Sequence, residues 1–312
     1  MKNINSKEKK PIVFFLMGPT GCGKSKIAIY LRKYLPIEII SVDSALIYRN
    51  MNIGTDKPDT SDLKKHPHRL LNIKDPTEIY SAAEFRKDAL KEISSILSIG
   101  KIPFLVGGTM FYYKTLLHGI SDLPRPNIEI RKYLLRKKKN NKNFLYEKLI
   151  SIDPISANRI HQNDTQRLIR ALEIFYLSGR TLTFLKNKKN NYLPYDIIQY
   201  SILPKNKLWL YQKIEMRVKK ILMLGFQKEV ENLFFRRDIH KNLPSMRCIG
   251  YRQMWEYLEY KISYEEMFKK IIFATRKLAK HQITWLKKWK NVHYFYDNNP
   301  NYLLNKILEI IK

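Results

Sequence analysis

Residues 12–17, Ile-Val-Phe-Phe-Leu-Met, form an unbroken apolar run that stops at a glycine turn, the pattern of a strand covered on both faces. Helical spacing follows over 25–34, and 38–42 is a second short apolar strand. Ser81 with Glu84 three positions later makes a capping box, which predicts the head of a helix that ends near Gly100. Residues 102–106 read as another buried strand closed by Gly107-Gly108, and 109–118 return to helical periodicity. Strands separated by helices predict an α/β fold with a parallel sheet and helices on both faces.

The pattern changes near Leu123-Pro124-Arg125-Pro126. From there to Asn191 the segments are helical and basic, with Pro154 separating two of them and 186–191 reading as an exposed link. Residues 195–203 alternate like a returning strand. Long amphipathic helices dominate from Lys207, 264–288 most clearly, and 292–296 suggest a late strand. The predicted organisation is an α/β core begun by 1–123, a helical insertion over 124–191, and completion of the core with C-terminal helices over 192–312. No internal repeat interrupts it.

Composition adds two things. With 44% hydrophobic and 28% charged residues, the 312-residue chain can bury a real core and suggests about two domains. Its charge is the unusual feature: 58 Lys and Arg against 28 Asp and Glu leave a net +30. Such an excess fits a polyanionic partner such as nucleic acid, and equally fits the Lys, Asn and Ile bias of a chain encoded by an AT-rich genome. On the second reading, basic runs at 136–139 and 186–189 are solvated faces. No apolar run approaches the ~18 residues of a membrane span. The basic start followed by 12–17 imitates a signal peptide, but six apolar residues fall short of the ~7–15 of a secretory core. Two cysteines, Cys22 and Cys248, exclude a disulfide framework and suit a reducing cytoplasm.

Gly18-Pro19-Thr20-Gly21-Cys22-Gly23-Lys24-Ser25 matches G-x-x-x-x-G-K-[ST] at every fixed position, after a strand and before a helix. Glycines at these places let successive backbone N–H groups point into one concavity, and the following helix adds its positive end. Lys24 supplies a point charge to a bridging oxygen, and the Ser25 hydroxyl can hold Mg²⁺. A di- or triphosphate is expected here. Asp43 ends the second strand and has two readings. As a Walker B residue it would hold Mg²⁺ through water in an NTPase or small-molecule kinase. As a general base beside the loop it would accept a proton from a nucleophile. Local sequence leaves both open.

Several further segments stand out along the chain. They are Ser41-Val42-Asp43-Ser44-Ala45-Leu46-Ile47-Tyr48-Arg49 with Met51-Asn52-Ile53-Gly54-Thr55; His66-Pro67-His68-Arg69-Leu70; and Tyr80-Ser81-Ala82-Ala83-Glu84-Phe85. Gly107-Gly108-Thr109-Met110, Gln166-Arg167-Leu168-Ile169-Arg170-Ala171-Leu172-Glu173 and Ser245-Met246-Arg247-Cys248-Ile249-Gly250-Tyr251-Arg252-Gln253 follow, then Ala274-Thr275-Arg276 and Gln282-Ile283-Thr284-Trp285. This ordered set resembles the tRNA dimethylallyltransferase family over most of the chain. Ser25 stands where many relatives have Thr, which keeps the hydroxyl. Asn52 and Asp56 depart from the usual pattern around the Gly54-Thr55 turn.

The resemblance implies transfer of a dimethylallyl group from dimethylallyl diphosphate to N6 of the adenosine 3′ of the anticodon, in tRNAs that read codons beginning with U. The phosphate loop would then hold a leaving diphosphate, with Mg²⁺, and Asp43 would take the adenine proton. By resemblance, Thr109 joins Asp43 and Lys24 at the reaction centre, and Arg217 helps bind the diphosphate. Arg131, Gln166 to Arg170, Arg247 to Arg252, and Asp43, Ser44, Ala45, Leu46 and Thr109 would contact the tRNA. The insertion would clamp the anticodon arm. Arg247, Tyr251 and Arg252, with Trp255 beyond, offer stacking surfaces and cationic grip for an unstacked adenine. A cytoplasmic monomer is expected. His66-Pro67-His68 lacks the companions of a metal site and reads as structural. A pure RNA-binding phosphate-loop protein is the remaining alternative, but it would have no use for Asp43 and Thr109 beside the loop.

Overall fold

A computed structural model describes residues 10–121, 123–186, 193–296 and 299–311. The basic start before Lys10 and all of the 186–191 link after Lys186 lie outside the described residues. The chain divides into two compact units, Met1–Leu116 with Leu193–Lys312, and Leu117–Tyr192.

The first unit is built on β1 (Ile12–Met17), α1 (Lys24–Arg32), β2 (Ile37–Val42), α2 (Thr60–Lys65), β3 (His68–Arg69), α3 (Ala82–Ser98), β4 (Ile102–Gly107) and α4 (Met110–His118). The second unit contributes α5 (Ile128–Asn140), α6 (Phe144–Ile152), α7 (Pro154–Arg159), α8 (Thr165–Ser178) and α9 (Leu182–Lys186). The chain then returns to the first through β5 (Asp196–Ile202), α10 (Lys207–Met223), α11 (Phe226–Phe234), α12 (Tyr251–Leu258), α13 (Tyr264–Lys287), β6 (His293–Phe295) and α14 (Pro300–Ile311).

Six strands form one wholly parallel sheet in the order β3-β2-β4-β1-β5-β6. Parallel sheets need cover on both faces, and successive residues of β1 divide between them. Phe14 and Leu16 pack with residues of α1, α10 and α14. Phe15 turns the other way onto Tyr113 of α4, ring centroids 4.9 Å apart, and the Tyr113 hydroxyl donates to the Leu16 and Leu105 carbonyls. The capping box at Ser81 and Glu84 is present in both directions and starts α3. The sequence pattern did not mark β3. It is two residues long, and its register comes from β2, with His68 opposite Ile39. The His68 ring nitrogen Nδ1 lies 2.7 Å from the His66 carbonyl, a local structural contact.

The second unit has its own core of Leu134, Leu145, Leu149, Leu168 and Leu172. Pro154 is the first residue of α7, where its missing N–H costs nothing. Asp153 caps that helix at Ser156 and also accepts from the Thr183 N–H and hydroxyl, which ties α7 to α9. The fully buried carboxylate of Glu173 accepts from Arg131, Arg170 and the Asn127 N–H. Burial alone would raise its pKa, but these donors outweigh burial and hold it below the ordinary glutamate value.

Candidate active site

β1 stops at Met17 and the phosphate loop turns over its carboxyl end. Gly21 and Gly23 have φ of 84° and 80°, the left-handed region that glycine adopts without strain. α1 starts at Lys24, so its unpaired N–H groups open toward the loop. The Lys24 ammonium donates to the Pro19 carbonyl at 2.8 Å. Burial pushes that ammonium down to about 8, Cys22 and Asp43 pull it back up, and Arg217 adds to the depression. Cys22 is a buried filler whose thiol burial pushes up to about 11. Ser25 is exposed at the head of α1.

Strand order decides what faces the loop. Since β4 lies between β1 and β2, its Gly107-Gly108-Thr109 turn sits between the loop and Asp43. The Thr109 hydroxyl accepts from the Ser44 N–H at 3.2 Å. Asp43 Oδ1 accepts from the N–H groups of Ala45 at 2.8 Å and Leu46 at 3.3 Å, which fixes the carboxylate. Among the described residues, its Oδ2 has no hydrogen-bond partner.

Three helices close the site. From α10, Arg217 donates to the Thr20 hydroxyl at 2.9 Å and the Thr55 carbonyl at 3.0 Å, and its Nε lies 3.4 Å from Asp56. From α11, the Glu229 carboxylate accepts from the N–H groups of Asn52, Ile53 and Gly54 at 2.8–3.0 Å and from the Tyr251 hydroxyl at 2.6 Å. Gly54 must be glycine here, because a Cβ would stand 2.2 Å from the Phe226 ring. From α13, Gln282 accepts from the Thr20 N–H at 2.9 Å and donates to the Gly108 carbonyl at 2.8 Å. Lys57, its ammonium pushed down to about 8 by burial, donates to the Tyr48 carbonyl and to the side-chain oxygens of Asn52 and Asn72. Asn52 and Asp56 thus hold Lys57 and Arg217.

Beside these groups lies a cavity of about 610 Å³, which Thr20 lines from the phosphate loop, while Lys24, Ser25, Lys57 and Glu229 stand outside its wall. Thr20, Asp43, Thr109, Arg217 and Gln282 give it a polar side, while Val218, Ile221, Phe226, Ile249, Ile271 and Leu278 add apolar wall. Among the described residues no group of three His, Cys, Asp or Glu side chains converges on a point where a metal could sit. That donor set does not make a protein cage. Mg²⁺ keeps phosphate oxygens and waters as ligands, and Ser25, exposed at the head of α1, is the hydroxyl that could add one from the protein.

Arg247, Cys248, Ile249 and Gly250 line the same cavity, and Arg247 is exposed. Burial first, and the Asp43 charge second, push the Cys248 thiol up to about 12. Arg252 is exposed beside Glu256. Tyr251 corrects the expectation of a stacking surface: its ring is fully buried, edge-on to Phe226, with its hydroxyl on Glu229. Trp255 is likewise packed, against Phe234. In the second unit Gln166 and Arg167 are exposed, but Leu168 and Ile169 belong to its core and offer no side chain to a ligand. Arg131 and Arg170 are half-committed to Glu173.

Sequence reasoning assigned no role to Glu229 or Gln282. Gln282 lay in a motif that could have flagged it. Glu229 had no signal, since one glutamate on an amphipathic helix looks like a solvated face.

A parallel sheet with a phosphate loop and an acid-bearing strand end beside one cavity defines a phosphate-loop α/β protein. Residues 46–289 match the IPP transferase family, and the chain belongs to that family, the tRNA dimethylallyltransferases. A tRNA dimethylallyltransferase from Buchnera aphidicola subsp. Acyrthosiphon pisum (strain APS) is 67% identical over 310 residues, 99% of this chain and 98% of the relative. The crystal structure of the full-length tRNA isopentenylpyrophosphate transferase of Bacillus halodurans is similar at TM-score 0.70 and 32% identity, covering 97% of this chain and 96% of that one. A eukaryotic dimethylallyltransferase caught acting on tRNA superposes at TM-score 0.81 with 25% identity, covering 96% of this chain and 79% of that one. Family membership disfavours the kinase and NTPase reading. No helix among the described residues is long and apolar enough to cross a membrane.

Proposed function

We propose that this chain transfers the dimethylallyl group of dimethylallyl diphosphate to N6 of the adenosine 3′ of the anticodon, in tRNAs that read codons beginning with U. The C1–O bond to diphosphate breaks, a C1–N6 bond forms, and the N6 proton passes to the Asp43 carboxylate. Breaking the bond needs charge neutralised on the leaving group. Lys24, Arg217 and the loop N–H groups supply that, and Mg²⁺, held by the diphosphate and Ser25, would add Lewis-acid stabilisation of the same oxygens. The five-carbon group would lie on the apolar wall. Thr109 holds the Ser44 turn and presents its hydroxyl beside Asp43.

The observation that supports this reading is the meeting of Asp43 and Thr109 with Thr20 and Arg217 in one cavity that also has apolar wall. A kinase would need a second phosphate-acceptor pocket at that place. For tRNA contacts, the exposed Arg247 and Arg252 suit the first unit, and Gln166, Arg167 and the outer faces of Arg131 and Arg170 suit the second. On this reading the chain acts in the cytoplasm as a monomer. Incubating the protein with unmodified tRNA, dimethylallyl diphosphate and Mg²⁺, then weighing the nucleosides, tests the reading. One dimethylallyl adduct per tRNA on that adenosine is expected. Release of phosphate from ATP without any adduct would overturn it.

A further inference from the structure

In β1 and β4 the ladder pairs Met17 with Gly107, after which both chains leave the sheet. Three residues past Met17 and one past Gly107, the Gln282 side-chain amide fills the gap between them. Its oxygen takes the Thr20 N–H and its nitrogen gives to the Gly108 carbonyl. A primary amide used in this way replaces one peptide group of a strand. A carboxamide carries both a donor and an acceptor on one planar unit, and Gly108, with no side chain, leaves it room. A Cβ on Gly108 would lie 2.5 Å from Gln282 Nε2. Gln282 stands on α13, a 24-residue helix whose Ala279 and Leu286 are fully buried, so the clip is anchored from outside the sheet.

Thr20 also receives Arg217, and Gly108 directly precedes Thr109. We infer that Gln282 is a positioning residue for transfer: its amide sets the distance between the phosphate loop, which holds the leaving group, and the Thr109–Asp43 strand ends, which hold the nucleophile. Gly108 is glycine to make room for it. The inference rests on the transferase reading above. Relaxing that distance misaligns donor and acceptor without removing either binding surface. Misplacement of about 1 Å costs on the order of 10²-fold in rate.

The test is a double-mutant cycle in the full chain. Gln282→Met keeps the length and removes both hydrogen bonds, and Gly108→Ala drives a methyl into the amide. Each single change should lower kcat by ~10–100-fold with the KM for dimethylallyl diphosphate and for tRNA within about threefold, the pattern of a loss confined to the transition state. Because both act on one clip, the double variant should be no slower than the worse single one. In the unaltered protein the Thr20 amide should exchange its hydrogen slowly, and both single variants should expose it. Additive losses in kcat, or a rise in donor KM with kcat unchanged, would overturn the positioning role. An unprotected Thr20 amide in the unaltered protein would overturn the clip itself. If the unaltered chain prenylated no tRNA, the transferase reading would fail, and amide exchange would still decide whether the clip exists.

Discussion

Lys24 must be charged to hold a diphosphate, yet its surroundings favour the neutral amine. Burial brings its pKa down to about 8, so the fraction charged falls as pH rises through that value. A diphosphate binds the ammonium form. kcat/KM for the donor, which reports the free enzyme, should therefore be flat below pH 8 and fall above it by about tenfold per unit. Lys24→Arg keeps its charge in that range and should abolish the fall, whatever its effect on the plateau. If Lys24→Arg kept the same inflection, the titrating group would be another, with buried Lys57 the first candidate. Asp43 gives a separate prediction. Asp43→Asn keeps the Oδ1 acceptor for Ala45 and Leu46 but loses the proton acceptor. Turnover should drop by ~10²–10⁴ while donor and tRNA binding stay near normal. Titrating Mg²⁺ distinguishes the Walker B alternative, because recovery of activity by added Mg²⁺ would make Asp43 a metal-holding residue and not a base.

At the scale of elements, the site depends on helices that reach back over the sheet. The 52–54 turn has no strand or helix to satisfy its N–H groups, and α11 supplies Glu229 for three of them. Glu229→Ala would leave these donors and the Tyr251 hydroxyl without an acceptor. A loss of about 2–4 kcal/mol in unfolding free energy is expected, and Glu229→Gln, which retains an acceptor oxygen, should lose less. Denaturant titration of the three proteins measures it. Equal stability would show that water replaces the carboxylate. The same logic explains which elements were readable. β1, β2, β4 and α3 have patterns set by their own neighbours in the chain, namely continuous apolar runs and a capping box. β3 is a strand only because β2 stands beside it.

For the molecule as a whole, the +30 charge has consequences that no single contact carries. If it grips a phosphate backbone, the logarithm of tRNA affinity should fall with the logarithm of salt by ~0.7–0.9 per phosphate neutralised. Removing 125–191 and joining the ends with a short linker should flatten that slope. An unchanged slope would place the grip outside the second unit and make most of the excess a compositional bias. The amino-acid sequence by itself determined the parallel α/β core, the phosphate loop and Asp43, because strand hydrophobicity, glycine conformation and motif spacing are local properties. Thr109 came through the resemblance of the Gly107-Gly108-Thr109-Met110 segment. Only the tertiary structure decided that β4 stands between β1 and β2, and so brings Thr109 between the loop and Asp43. It alone turned Tyr251, Leu168 and Ile169 inward, put Gln282 in the wall of the site and set Glu229 under the 52–54 turn. The physical reason is common to all of these: burial and hydrogen-bond partners far apart in sequence are fixed by packing between elements, and an isolated segment carries no record of which of its faces another helix will cover.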